Sequence, residues 1–235
     1  MQREALKELF DQQASGYDKQ WAGMAPIRET LHLLLRSNFA YLPDDARILC
    51  VGAGTGAELA YLAGCFPEWR FTAVDPSGAM LDVCRQKAEH GGFLSRCDFH
   101  EGYLGTLSIE SHYDAATCFL VSQFLLEAHA RIEFFQEIAR ALKPGGLLAN
   151  ADLAADTSCR SYDALLRSWM TLMSAAGVAP DALERARAAY AKDVSILPSH
   201  QVSDLIESAG FDRPVQFFQA GLMSGWVCTR QSDPY

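Results

Sequence analysis

The sequence lacks the long apolar run that a membrane-spanning helix requires. No stretch of its 235 residues reaches the ~18 consecutive apolar residues of a span, although 49% of the residues are apolar. The charged opening MQREALKELFDQQ is unlike a secretory signal peptide. These absences predict a cytoplasmic protein with no membrane contact, and the length fits one large domain with a sizeable core.

Paired cysteine motifs and a surplus of basic residues are also absent. The seven cysteines are odd in number and none is spaced C-x-x-C, so we predict free thiols and no metal site. Lys and Arg total 20 against 29 Asp and Glu, a net charge of −9. Because nucleic-acid affinity depends largely on cations that neutralise phosphates, this balance disfavours a tRNA or DNA partner and favours a small molecule. It leaves open whether the chain forms a homodimer.

A glycine-rich turn is the most informative segment present. The run ILCVGAGTGAE at 48–58 reads as a strand that feeds a turn and then a helix, with glycines at 52, 54 and 56. The dinucleotide fingerprint G-x-G-x-x-G needs a glycine at position 57, where the chain has Ala57. A nucleotide-like ligand therefore remains favoured, but a nicotinamide cofactor is not.

Strand and helix patterns alternate along most of the chain, without repeats or low-complexity linkers. Strand-like runs lie at 47–51, 70–75, about 95–100, 113–121 and 145–154. This alternation predicts a parallel, doubly wound α/β sheet. Near the end, VQFFQA and SGWVCTR form a predicted hairpin, so the last strand should run antiparallel. Helical segments at about 158–176 and 180–192 fall outside the alternation and predict an inserted helical lid.

Four motifs in order resemble a known family. ILCVGAGTG, VDPSGAML, YDAATCFLV and LKPGGLLAN, followed by the hairpin, resemble class I S-adenosylmethionine-dependent methyltransferases, closely over 47–154 and loosely beyond. The resemblance implies a seven-stranded, mostly parallel sheet with strand seven antiparallel between strands five and six. It also implies a single methyltransferase domain over 1–235, with an N-terminal lid at 1–42 and a helical insertion at about 155–198.

The resemblance implies S-adenosylmethionine as cofactor and S-adenosylhomocysteine as product, with in-line methyl transfer to an unidentified acceptor that is expected to be a small molecule. The glycines would let backbone approach the methionine part, and Asp75 would accept both ribose hydroxyls. Met80 would pack on the adenine, Tyr103 and Leu104 would hold its edge, and Phe119 and Leu120 would lie beneath the sulfonium. The implied cofactor-binding residues are Tyr17, Gly52, Ala53, Gly54, Thr55, Gly56, Asp75, Pro76, Met80, Tyr103, Leu104, Phe119 and Leu120.

Two positions depart from the family pattern. Cys50 stands where the family commonly has an acidic residue that helps hold the charged methionine end of the cofactor, and Tyr103 stands where it commonly has Asp. Glu58 lies in the first turn of the next helix, where negative charge suits the helix dipole. We do not assign the missing contact to it on the sequence alone.

No catalytic residue can be named from these motifs. Candidates for a general base at the carboxyl edge of the sheet are Tyr17, His32, His129 and Asp152, whereas His112 precedes strand four and falls at the opposite end. The inserted helices are expected to shape the acceptor pocket, with apolar wall from Trp169, Met170 and Met173.

Three alternatives remain open. VSQFLLE and the final hairpin also resemble the carboxy-S-adenosylmethionine synthase family of tRNA wobble-uridine modification, with Arg185 loosely where a cation for the added carboxylate is expected. The second alternative is a non-catalytic S-adenosylmethionine-binding protein, for which Cys50 and Tyr103 are the hints. The third, a nicotinamide enzyme, conflicts with Ala57.

Overall fold

A seven-stranded mixed sheet forms the centre of the molecule. The structure is a computed structural model that describes residues 3–108 and 113–232. The strand order is β3-β2-β1-β4-β5-β7-β6, and β7 runs antiparallel to both of its neighbours. The predicted fold, including the antiparallel strand between strands five and six, is confirmed. The strands are β1 Arg47–Val51, β2 Arg70–Asp75, β3 Cys97–Glu101, β4 Tyr113–Phe119, β5 Leu142–Leu153, β6 Val215–Ala220 and β7 Met223–Thr229.

The helices cover both faces of this sheet. In β1, Leu49 and Val51 point into a core shared with α6 and α9, whereas Ile48 and Cys50 point into a core shared with α3, α4 and α5. Because successive side chains of a strand alternate between faces, this strand is apolar on both sides. The helices are α1 Arg3–Gln13, α2 Tyr17–Gln20, α3 Ala25–Asn38, α4 Ala57–Cys65, α5 Gly78–His90, α6 Ala128–Ala141, α7 Arg160–Ala175, α8 Pro180–Lys192 and α9 Ser199–Glu207.

Strand five begins earlier than its apolar pattern predicts. The expected strand starts at 145, but Leu142 already pairs with Tyr113 at the start of β4. The register then shifts between Tyr113 and Ala115, which accommodates the Pro-Gly-Gly turn residues within the strand. The turn residues therefore mark a bulge in β5 rather than a loop before it.

The segments before β1 and after β5 pack on each other. A small apolar cluster joins Trp169 and Met173 of α7 to Trp21, Met24 and Ile27 of the N-terminal segment. A Cβ added at Gly23 would lie 1.7 Å from the Ala176 carbonyl oxygen, so only glycine fits at this approach. Among the described residues, no helix is long and apolar enough to cross a membrane.

Candidate cofactor and acceptor site

The three glycines of the turn after β1 have different surroundings. Gly52, Gly54 and Gly56 all have positive φ, at 65°, 52° and 73°, a region that favours glycine. A Cβ at Gly52 would lie 2.2 Å from Val121 Cγ2, and one at Gly56 would lie 2.3 Å from Cys84 Sγ. A Cβ at Gly54 would meet no atom within 4 Å. The outer glycines are thus required by packing, and the central one offers bare backbone to open space, as a bound cofactor requires.

Asp75, at the carboxyl end of β2, joins this turn to the next helix. Its Oδ2 accepts a hydrogen bond from the Gly54 amide at 2.8 Å, and its Oδ1 accepts one from the Ser77 amide at 2.8 Å. Burial raises the pKa of Asp75. An ionised carboxylate has about four acceptor positions, so each oxygen can still accept a ribose hydroxyl. The predicted ribose contact is compatible with this geometry.

The residues predicted to surround the adenine divide into core and surface. Met80 is buried in the first turn of α5, where its amide donates to the capping Ser77 Oγ at 3.1 Å. The Leu104 side chain belongs to the core between the sheet and α6, so only its backbone is available to a ligand. Tyr103 is exposed, and its ring lies 5.2 Å from the Arg3 guanidinium carbon. Pro76 is half-buried and Ala53 is buried.

Backbone strain marks the carboxyl end of β4. Leu120 has φ of 61°, and it is the one non-glycine residue with positive φ in the described part of the chain. Its amide donates to the Ala151 carbonyl at 2.6 Å, which holds the residue against β5. A left-handed conformation of this kind costs about 1–3 kcal/mol and is concentrated at functional sites. Phe119 and Leu120 are both half-buried at this edge, the place predicted for the sulfonium.

The N-terminal segment is attached to the same loops by polar contacts. Thr55 Oγ1 donates to Asp18 Oδ1 at 2.7 Å, and Asp18 Oδ2 also pairs with Lys87 at 2.9 Å. Ser77 Oγ donates to Asp11 Oδ1 at 2.6 Å. Helices α1 and α2 therefore lie beside the glycine turn and the start of α5.

Tyr17 lies among aromatic rings in this segment. Its ring centroid is 6.4 Å from that of Phe10 and 6.4 Å from that of Trp21, and Phe10 reaches Phe124 beyond β4 at 5.9 Å. Burial raises the pKa of Tyr17 to about 12, so its phenol is protonated at neutral pH. This residue can donate a hydrogen bond to a ligand but is a poor general base.

Asp152 is held in a buried polar network. Its carboxylate accepts hydrogen bonds from Ser122 Oγ at 2.6 Å, Asn150 Nδ2 at 2.7 Å, the Gln123 amide at 3.1 Å and Arg131 Nη2 at 3.1 Å. Three of these donors meet Oδ2 and the Gln123 amide meets Oδ1, so the carboxylate anchors the loop after β4. Because the network is buried and holds both oxygens, this arrangement favours an anchoring role for Asp152 over proton transfer.

The two histidine candidates in the described residues differ in burial. His32 is buried, with its ring 5.4 Å from that of Tyr61, and burial lowers its pKa to about 4. His129 is exposed in the first turn of α6. His112 lies outside the described residues. Within those residues, no cluster of three His, Cys, Asp or Glu side chains could hold a metal ion.

Sequence reasoning missed Arg131 and left Glu58 unassigned. Arg131 is fully buried in α6, and its Nη1 also donates to the Ser195 carbonyl at 3.2 Å. Its position four residues before the buried Phe135, on the same helix face, is a signal that could have identified it. Glu58 is also buried, and burial raises its pKa to about 7.

A cavity of about 680 Å³ lies in the helical insertion. The three side chains predicted to form a pocket wall do not line it, because Trp169 and Met173 are buried in the cluster that joins α7 to the N-terminal segment and Met170 packs against that cluster. The cavity instead meets the amino-terminal half of α7, through Tyr162, Asp163, Leu166 and Arg167. Its lining residues are Thr157, Tyr162, Asp163, Leu166, Arg167, Arg187, Tyr190, Ala191, Val194, Ser195 and Ile196.

Arg185 does not occupy a ligand position. Its guanidinium pairs with Asp181 at 2.6 Å, one turn earlier on the exposed side of α8. The expected cation for a carboxylated cofactor is therefore not supplied by this residue in the structure.

Comparisons with known proteins agree with this geometry. A family model described as a methyltransferase domain matches residues 48–146. Demethylmenaquinone methyltransferase of Chlamydia pneumoniae is 27% identical over 208 residues, covering 87% of this chain and 86% of that protein. Carboxy-S-adenosyl-L-methionine synthase of Dichelobacter nodosus is 26% identical over 205 residues, covering 85% and 82%.

A solved structure shares the fold. An O-methyltransferase family protein from Burkholderia thailandensis superposes with a TM-score of 0.66 at 15% identity, covering 97% of this chain and 60% of that one. Together with the sheet order, these similarities support a class I S-adenosylmethionine-dependent methyltransferase, with S-adenosylmethionine as cofactor and S-adenosylhomocysteine as product.

Proposed function

We propose that this methyltransferase acts on a small molecule that binds in the cavity of the helical insertion. The observation that carries the proposal is the position of that cavity. Thr157 follows the carboxyl end of β5, and the Ser195 amide donates to the carbonyl of Gln123, just beyond β4, at 2.7 Å. The cavity thus adjoins the sheet edge that also carries the glycine turn, and ligands of doubly wound sheets bind at this edge.

The lining residues favour an acceptor with an anionic group and an apolar body. Arg167 and Arg187 come from the two facing helices, and neither makes an ion pair within the described residues. Leu166, Val194 and Ile196 supply apolar surface. A carboxylate could pair with the guanidinium groups while the rest of the molecule is removed from water.

The residues at the edge of the sheet would orient the reactants and exclude water. The bound cofactor supplies an electrophilic methyl group, so the protein contributes chiefly position and desolvation. We assign the cofactor contacts to the glycine turn, Asp75 and the loop at Leu120, and the cover over them to α1, α2 and the helical insertion. The two covering segments pack together at Gly23 and Ala176, which supports a closed site.

A cavity-filling variant tests the acceptor position. Ala191→Trp places an indole at the exposed lining position of α8, and Ala188→Trp, exposed on the same helix and not lining the cavity, is its control. The assay measures transfer of labelled methyl from S-adenosylmethionine to a panel of small aromatic and aliphatic carboxylic acids. We expect wild type and Ala188→Trp to label an acceptor, and Ala191→Trp to lose at least about tenfold in rate with unchanged S-adenosylhomocysteine affinity. Equal rates in all three proteins would contradict the cavity assignment.

A second candidate function is carboxy-S-adenosylmethionine synthesis. The relative from Dichelobacter nodosus favours it, because the match covers most of both chains. Mass spectrometry of the cofactor that purifies with the protein separates the two candidates. An unmodified cofactor supports methyl transfer, and a mass increased by one carboxylate group would overturn it.

A further inference from the structure

Glu58 is a buried carboxylate without a cationic partner. Glu58 follows Gly56 by two residues and lies in the first turn of α4, where it is only 8% exposed. Among the described residues, the hydrogen bond that stabilises its charge comes from its own backbone amide. Burying a carboxylate without a partner is costly, so such a group is expected to meet a cation when the site is in use.

The surroundings of Glu58 do not supply that cation. Lys87 acts on it electrostatically, but the Lys87 ammonium is engaged by Asp18 at 2.9 Å. Asp75 adds a second negative charge nearby. Two buried carboxylates, Glu58 and Asp75, therefore concentrate negative charge beside the glycine turn.

We propose that Glu58 binds the α-ammonium group of the methionine part of S-adenosylmethionine. The inference rests on the proposed function, because it assumes that this cofactor occupies the turn. A carboxylate contact to the ammonium forms a charge-assisted hydrogen bond, among the strongest that a side chain can make. This contact would also give the cofactor a carboxylate partner, which the carboxyl end of β1 does not supply because Cys50 stands there instead of an acidic residue.

Proton release should accompany binding. Burial raises the pKa of Glu58 to about 7, so near pH 7 the free protein holds this carboxyl partly protonated. An arriving ammonium favours the ionised form and displaces the proton. Four of the other groups that face Glu58 do not titrate near pH 7, because burial raises the pKa values of Tyr17 and Cys84 to about 12 and those of Cys50 and Cys118 well above the usual range. Asp75 and Lys87 complete the set of charged groups near it.

Calorimetry with two ligands tests the inference. S-adenosylhomocysteine carries the ammonium, whereas 5′-methylthioadenosine lacks the amino acid part. In Glu58→Gln we expect S-adenosylhomocysteine affinity to fall about 10- to 30-fold, the loss of one hydrogen bond to a charged group, with 5′-methylthioadenosine affinity unchanged. Glu89→Gln, an exposed position on α5, should match wild type for both ligands. Titration of wild type in buffers of different ionisation enthalpy should show proton release, which Glu58→Gln should abolish.

Several results would overturn the inference. Equal S-adenosylhomocysteine affinity in Glu58→Gln and wild type, or an equal loss for both ligands, would do so. A Glu58→Asp variant keeps the carboxylate and should retain part of the proton release on binding S-adenosylhomocysteine. If wild type releases a proton and Glu58→Asp releases none, direct pairing of residue 58 with the ammonium group is contradicted. If wild type binds S-adenosylhomocysteine as described but transfers no methyl group to any acceptor, the proposed function fails and the Glu58 contact stands. If wild type binds neither ligand, both fail.

Discussion

The ion pair between Arg131 and Asp152 allows a quantitative test of the site's architecture. Both side chains are 0% exposed, and Arg131 Nη2 lies 3.1 Å from Asp152 Oδ2. Arg131→Met keeps the apolar stem but removes the guanidinium, which leaves the carboxylate with the donors from Ser122, Gln123 and Asn150. Removing one partner of a buried pair costs about 3–5 kcal/mol. Because three donors still stabilise the carboxylate, we expect the free energy of unfolding to fall by about 3 kcal/mol, the lower end of that range.

Urea unfolding followed by circular dichroism measures this loss. Arg140→Met, exposed on the same helix, should change stability by less than about 0.5 kcal/mol. Combining Arg131→Met with Asp152→Asn should recover about 1–2 kcal/mol, because the double variant no longer buries an unpaired charge. A loss below about 1 kcal/mol in Arg131→Met, or a double variant less stable than the single one, would refute the buried pair.

The same variants separate anchoring from catalysis at Asp152. We expect a carboxylate held by four donors to anchor the loop after β4 rather than to transfer a proton, so Asp152→Asn should lower stability and reduce methyl transfer equally at every pH. An Asp152→Asn protein of normal stability whose activity loses its pH dependence would instead identify Asp152 as the general base.

The glycine turn and the buried titrating groups give further predictions. Gly56→Ala should destabilise the fold by at least about 2 kcal/mol, because its Cβ would clash with Cys84 Sγ as well as strain a positive φ, and urea unfolding would show it. Gly54→Ala should cost only about 1 kcal/mol but should weaken S-adenosylhomocysteine binding at least about tenfold by calorimetry, and unchanged affinity would disprove the backbone contact. The lowered pKa of His32, about 4 in the folded state, stabilises the fold above pH 6.5, and this contribution of about 3 kcal/mol is lost as pH falls to 4. The raised pKa of Glu58 changes stability in the opposite direction over the same pH range, so the measurement is the difference in unfolding free energy between wild type and His32→Leu. We expect this difference to shrink by about 3 kcal/mol from pH 7 to pH 4. A difference that stays constant with pH would contradict the assignment.

The sequence predicts the sheet because each of its strands carries a local signal. The apolar runs at β1, β2 and β4, the glycine turn and the final hairpin all follow from periodicity and turn residues. The early start of β5 does not, because pairing of Leu142 with Tyr113 depends on a neighbouring strand rather than on the local pattern.

The candidate site is predictable only in part for the same reason. The positions of the glycines and Asp75 follow from local motifs. The sequence by itself cannot show that, of the three glycines in the turn, Gly54 is the one that faces open space. The hydrogen bonds of Asp152 come partly from Arg131 on α6 and Asn150 on β5, so the network that holds this carboxylate cannot be derived from the residues next to it in the sequence alone. Similarly, Trp169 and Met173 pack in a cluster with Trp21 and Met24 of the N-terminal segment, a contact between distant parts of the chain that the pattern of α7 alone does not show.

A crystal structure of the complex with S-adenosylhomocysteine would show whether the cofactor lies over the glycine turn and Asp75. We predict ribose hydroxyls within hydrogen-bond distance of the Asp75 carboxylate and the methionine part of the ligand against the backbone of Gly54. Ligand density at another edge of the sheet, or an Asp75 carboxylate with no contact to the ribose, would contradict the account.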